Sequence, residues 1–183
     1  MIVAIGGLSG SGKTFTALKL KEHFNCPYFS SDKLRKELAN ISLTQRVLDS
    51  FGKGLYSPSF TKKTYEELIK KSVKASRQKG MAIVDATFSS LEHQEMLLNC
   101  GEPFLLIFCY ASDAAIKERL AKRIKDKHTI SDGRWEIYIK QKNSFQGFVI
   151  PENKLLKIDT ENENYFDTTV KFIENHINKN LKI

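Results

Sequence analysis

Polar and apolar positions along this chain fall into two alternating patterns. Short apolar runs at residues 1–5, 26–30, 81–85, 104–110 and 154–159 read as buried strands. Between them, apolar residues recur every three or four positions, as on one face of a helix. That spacing predicts helices over 15–24, 33–40, 59–79, 90–100, 111–127, 134–145 and 165–179, with a short one around 45–51. Leu34 and Leu38 mark one such face, and Tyr65, Leu68, Ile69 and Val73 another. Ser57-Pro58 supplies a cap and first-turn proline, and Gly80 a stop. Ser31 or Asp32 can cap the helix that follows, and Asp132 the helix from 134. Strands alternating with helices predict an α/β fold, a three-layer sandwich on a parallel sheet. With no repeat, low-complexity tract or long linker, residues 1–183 read as one domain.

The first strand runs into Gly7-Leu8-Ser9-Gly10-Ser11-Gly12-Lys13-Thr14, which matches G-x-x-x-x-G-K-[ST], the phosphate-binding P-loop. Glycines let successive backbone N–H groups turn toward phosphate oxygens, and the following helix adds its positive end. Lys13 is placed to reach the β- and γ-phosphates of a nucleotide, and the Thr14 hydroxyl to ligate Mg²⁺. The run ending at Asp85 has the Walker-B form, a buried strand that delivers a metal-holding carboxylate. Asp32, Asp85 and Asp159 are each expected to close a strand at one sheet edge, where ligands bind in open α/β sheets.

Composition narrows the picture modestly. The chain has 183 residues, 41% hydrophobic and 27% charged, as in an ordinary globular domain. No apolar run is long enough to span a membrane, and the first strand begins at once, so no signal peptide and no membrane partner are expected. Cys26, Cys100 and Cys109 lack C-x-x-C spacing and read as reduced thiols of a cytoplasmic protein. A formal charge of +8 suits an anionic partner; nucleotide phosphates already qualify, and nucleic acid is not required. His23, His93, His128 and His176 are scattered without metal spacing. Trp135 and Tyr138, three apart, read as packing, with base stacking the alternative.

Three uses of a P-loop compete: a kinase, a regulatory GTPase and an ATP-binding module without an acceptor. The GTPase base-reading motif N-K-x-D is absent, and Asp49-Ser50-Phe51-Gly52 fits D-x-x-G without a strand before it. Asp85 is followed by Ala86, so the second acidic residue usual in motor ATPases is missing. A kinase needs a phosphate cradle, a metal, an acceptor base and cations over the transferring group. Asp32 is the candidate base and Arg35 a candidate contact for an anionic acceptor. Arg119 and Arg123, one turn apart, are the candidate lid arginines in a lid over about 112–145; a solvated helix face with a Glu118–Lys122 pair is the alternative.

Ser31-Asp32 with Arg35, Leu55-Tyr56-Ser57-Pro58, Tyr65, Asp85-Ala86-Thr87-Phe88, Glu118-Arg119-Leu120 with Arg123, Ser131-Asp132 and Asp159-Thr160 follow the P-loop in order. In these residues the chain resembles the P-loop kinases of the zeta-toxin and polynucleotide-kinase-like set. That AAA-domain kinase family is often linked to aminoglycoside-phosphotransferase-like proteins. The resemblance implies a nucleoside-kinase-like fold with a lid and five parallel strands in order 2-3-1-4-5. It also implies Asp32 as general base, Arg35 on an acceptor phosphate, Arg123 ahead of Arg119 as the lid arginine, and Asp159 and Thr160 near the nucleotide base. Gln146 departs from the acidic residue usual after the position of Phe145. The reading is therefore an ATP-dependent phosphotransferase using Mg²⁺ and a hydroxyl-bearing acceptor. A small molecule is the first choice of acceptor; the alternatives are a polynucleotide 5′-hydroxyl kinase and a non-enzymatic ATP sensor.

Overall fold

The structure, a computed structural model, describes residues 1–45, 47, 52–125 and 130–180. Most of the helix expected around 45–51, and His128, lie outside the described residues.

The apolar runs form five strands: β1 (Ile2–Gly7), β2 (Tyr28–Ser30), β3 (Ala82–Asp85), β4 (Phe104–Tyr110) and β5 (Leu155–Asp159). They make one parallel sheet in the order β2-β3-β1-β4-β5. Among the described residues seven α-helices surround it: α1 (Lys13–Phe24), α2 (Ser31–Leu38), α3 (Pro58–Lys79), α4 (Leu91–Leu98), α5 (Asp113–Lys125), α6 (Trp135–Asn143) and α7 (Tyr165–Asn180).

Every residue of β1 is buried, because side chains alternate between two covered faces. Ile2 and Ala4 pack with Leu34 of α2, Leu68 of α3 and Leu97 of α4. Val3 and Ile5 pack with Ala17 and Leu20 of α1 and Ile173 of α7. That is the expected three-layer arrangement. A third cluster joins Ile116 and Leu120 of α5 to Tyr138 of α6, with Leu8 and Trp135 against it. The rings of Trp135 and Tyr138 lie 5.2 Å apart, so both serve packing. Cys26 and Cys109 are buried, Cys100 is partly so, and all three are free thiols. Among the described residues no helix is long and apolar enough to cross a membrane.

Several local expectations change. β1 extends to Gly7, so the first P-loop glycine is still in the strand, and α1 starts at Lys13. Ser30, not Ser31 or Asp32, caps α2, its hydroxyl accepting from Lys33 N–H at 3.4 Å. Asp32 therefore lies in the first turn of α2 rather than closing a strand. Arg134 precedes α6 without a side-chain cap; Asp132 is engaged elsewhere.

Gly10 shows why the loop needs its glycines. Its φ is +83°, and a Cβ there would lie 2.9 Å from Ile116 Cγ2 and 3.0 Å from Leu120 Cγ. The P-loop thus rests directly on α5. Gly10→Ala is expected to lower unfolding free energy by about 2 kcal/mol through backbone strain and overpacking. Urea unfolding checks this, and an unchanged midpoint would refute the contact.

Candidate active site

The β1–β3 register pairs Ile5 with Asp85 and so sets the carboxylate beside the P-loop. Thr14 Oγ1 donates to Asp85 Oδ2 at 2.7 Å, and the Tyr28 hydroxyl donates to the same oxygen at 2.9 Å. Asp85 is 3% exposed, and its Oδ1 has no hydrogen-bond partner. Burial pushes its pKa up, while the Lys13 charge and the Thr14 bond pull it back. The same carboxylate and burial raise the Tyr28 phenol. A buried carboxylate with one unpartnered oxygen beside a hydroxyl fits the donor chemistry of a hard divalent cation such as Mg²⁺.

One cavity of about 460 Å³ opens on this edge. The P-loop contributes Ser9 and Lys13, and α2 contributes Ser31, Asp32 and Arg35. Tyr56, Tyr65, Thr87, His93 and Gln146 line other walls, and Asp132, Gly133 and Arg134 with Gln141 of α6 form a further one. Lys13 of the P-loop thus shares one space with Asp32 and Arg35 of α2. Asp32 also acts electrostatically on Asp85, so the two carboxylates are neighbours. Asp159 does not join them. It closes β5, on the other side of β1, and its Oδ1 accepts from Glu161 N–H at 3.0 Å within its own turn. The shared site expected for three aspartates holds two.

Arg35 is 6% exposed. Its Nη1 donates to Leu55 O at 2.6 Å and to Thr61 Oγ1 at 3.1 Å, and its guanidinium stacks 4.7 Å from the Tyr56 ring centroid. Its Nε has no partner.

The two candidate lid arginines separate. Arg119 spans from Thr160, with Oγ1 at 2.8 Å and the carbonyl at 3.3 Å, to Gly10 O at 3.4 Å. Thr160 in turn donates to Ser11 O at 2.9 Å. Arg119 and Thr160 therefore clamp the P-loop outside the cavity walls. Arg123 lies one turn on, with Nη1 3.5 Å from Ser131 Oγ, beside Gly133 at the cavity. The Glu118–Lys122 pair forms at 2.6 Å on the exposed face.

Three site residues, Lys36, His93 and Gln141, carry no role in the sequence reading. Lys36, 1% exposed, pairs at 3.4 Å with Asp132, 5% exposed. Lys36 Nζ also donates to Leu43 O and Gln45 O, and Asp132 accepts from Val47 N–H at 3.0 Å and the Tyr56 hydroxyl at 2.9 Å. His93 stacks on Tyr65 at 3.7 Å with planes 4° apart. Burial, with Arg35 nearby, lowers its pKa to about 4, so it is neutral. Gln141 Oε1 accepts from Ser9 N–H at 2.8 Å. No spacing rule marks any of these, because each contact is made between distant segments; only the Ser131-Asp132 dipeptide carried a signal.

The AAA-domain family profile matches residues 2–147, most of the chain. No curated protein matches by sequence. Solved structures share the fold at low identity. A sugar kinase from Janibacter sp. HTCC2649 aligns with TM-score 0.72 and 16% identity, covering 94% of each chain. A gluconokinase from Sinorhizobium meliloti 1021 aligns with TM-score 0.66 and 15% identity, over 99% of this chain and 94% of that one. Shikimate kinase from Aquifex aeolicus VF5 aligns with TM-score 0.61 and 14% identity, over 97% and 98%.

Two outcomes follow from the buried groups. Lys36→Met leaves Asp132 a buried charge without its counter-ion and is expected to cost about 3 kcal/mol in urea unfolding; a loss within 0.5 kcal/mol, roughly that of a surface change, would contradict the pairing. In the unfolded chain His93 takes a proton below about pH 6.5, while folded His93 stays neutral down to about 4. The unfolded state binds the extra proton in that window, so stability drains as pH falls through it. The unfolding free energy of wild type relative to His93→Gln should therefore decline from about pH 6.5 to 4 and be flat above. A flat difference throughout would mean that His93 is solvated.

Proposed function

Because the chain belongs to the AAA-domain family, we propose that it is an ATP-dependent kinase. It transfers the terminal phosphoryl group of ATP to a hydroxyl of a small molecule. The observation that carries this reading is the shared cavity: the P-loop lysine, Lys13, and a carboxylate, Asp32, line the same open cavity.

In this reading the N–H groups of Gly7 to Thr14 cradle the phosphates and Lys13 neutralises the β- and γ-oxygens. Thr14 and Asp85 would hold Mg²⁺, which supplies charge neutralisation when bound. Asp32 accepts the proton of the acceptor hydroxyl. Arg35, with its unpartnered Nε, orients an anionic group on the acceptor. Arg123 lies over the phosphates, and Arg119 with Asp159 and Thr160 borders the base. The lid loop and α6 exclude water and so limit idle hydrolysis of ATP. The sugar kinase, gluconokinase and shikimate kinase that share the fold support an acceptor of that size. The free thiols suit a reducing compartment such as the cytoplasm.

The +8 charge supports a second reading, a polynucleotide 5′-hydroxyl kinase, whose acceptor binding would weaken steeply with salt. An ATP sensor is the non-enzymatic reading, binding nucleotide and transferring nothing.

The test is transfer of γ-labelled phosphate from MgATP to a panel of polyols, sugars, hydroxy acids, nucleosides and 5′-hydroxyl oligonucleotides. Label is expected in one small-molecule class. Asp32→Asn should lower transfer about 10²- to 10⁴-fold and leave nucleotide affinity within about twofold; Lys13→Ala should abolish transfer. Label confined to oligonucleotides would move the protein to the second reading, and tight MgATP binding without label in any class would make it a sensor.

A further inference from the structure

The lid helix reaches back to the P-loop through one side chain. Gln141 on α6 accepts, through Oε1, a hydrogen bond from the backbone N–H of Ser9 at 2.8 Å, across 132 residues of sequence. Ser9 is buried, and a buried N–H demands a partner. The lid loop is seated on the same residue: a Cβ at Gly133 would lie 3.0 Å from Ser9 Oγ and 3.2 Å from Arg123 Nη1. Behind them α5 and α6 share an apolar contact with Leu8, the neighbour of Ser9. The packing therefore brings Gln141 to the loop by design of the fold, not by the reach of a loose surface side chain.

Ser9 belongs to the loop whose amides bind phosphate oxygens. With Lys13 it forms the P-loop's part of the cavity wall, facing Asp32. On the kinase reading, on which this inference rests, the terminal phosphoryl group stands between Lys13 and Asp32 and so abuts the Ser9 N–H. The neutral carboxamide oxygen of Gln141 already occupies the acceptor position at that N–H. A phosphoryl oxygen carries charge and accepts the stronger hydrogen bond, so it would replace the carboxamide.

We propose that Gln141 is the positioning residue by which α6 reads the terminal phosphate. ATP takes the Ser9 N–H from Gln141 and releases α6 from the loop. ADP, which lacks that phosphate, leaves the contact standing. The lid is thereby set by the presence of a transferable group rather than by nucleotide in general. No bond to phosphorus is made or broken in this exchange; one hydrogen-bond acceptor replaces another.

The chain carries its own reporter. Its single tryptophan, Trp135, is the first residue of α6, its ring packed against Tyr138. The experiment titrates the full chain with MgADP and with the magnesium complex of the non-hydrolysable analogue AMPPNP. Trp135 fluorescence is followed, and affinities are measured separately by calorimetry. Both nucleotides are expected to bind, and only AMPPNP to change the emission. Gln141→Leu should bind both and lose that difference. Gln141→Glu, whose carboxylate accepts the Ser9 N–H more strongly than the carboxamide and so competes better with the phosphoryl oxygen, should weaken AMPPNP about tenfold relative to ADP. Equal emission with both nucleotides, a difference retained in Gln141→Leu, or an unchanged affinity ratio in Gln141→Glu would each overturn the proposal. Failure of either nucleotide to bind would instead remove the kinase reading on which it rests.

Discussion

A buried carboxylate at the end of β3 constrains the rest of this structure. Taking a carboxylate out of water costs several kcal/mol unless donors and a cation surround it. Asp85 meets that demand with the Thr14 and Tyr28 hydroxyls and the nearby Lys13 charge. Those three groups come from the P-loop helix and the neighbouring strand, and they converge only in the observed parallel register. A slip of one residue between β1 and β3 would turn Asp85 to the opposite face. The continuous apolar run of β3 and the glycines of the loop are thus parts of one solution: core strands fix the register, and the register brings the carboxylate to the loop.

The cavity is assembled around this edge from pieces that share no local sequence signal. α2 supplies Asp32 and Arg35 on its cavity side and Lys36 on a buried one. Lys36 then binds the carbonyls of Leu43 and Gln45 and the carboxylate of Asp132. Asp132 in turn receives Tyr56, whose ring supports the Arg35 guanidinium. The segment that carries Asp132 and the helix that carries the candidate base are therefore tied through one buried pair. Replacing such pairs by apolar residues is often neutral for stability; here the pair also fixes where the cavity wall stands.

Much of this was legible in the sequence because it depends on local chemistry. The strand-loop-helix frame of the P-loop, the five apolar runs and the Asp85 terminus all follow from periodicity and motif, and the strand order follows from the family resemblance. Cap positions and strand ends missed by one or two residues, since Ser30, Ser31 and Asp32 are each competent to start α2. The grouping of Asp32, Asp85 and Asp159 failed for a topological reason: ending a strand on the correct edge does not say which side of the P-loop the strand occupies. The separation of Arg119 from Arg123 was hidden likewise, because one helical turn between them looks like a shared face until Thr160 claims the first. Lys36, Gln141 and His93 are residues of unremarkable type whose roles arise only from tertiary contact.

The central claim is that Lys13 and Asp32 flank the space through which a phosphoryl group passes. A crystal structure with Mg²⁺, ADP and aluminium fluoride tests it most directly. The account predicts the fluoroaluminate against Lys13 and the Ser9 N–H, with an Asp32 carboxylate oxygen within about 3.2 Å of its apical ligand, the reach of a proton-accepting hydrogen bond. Nucleotide phosphates seated on the loop with Asp32 turned away from that ligand, or bound to the metal, would contradict it.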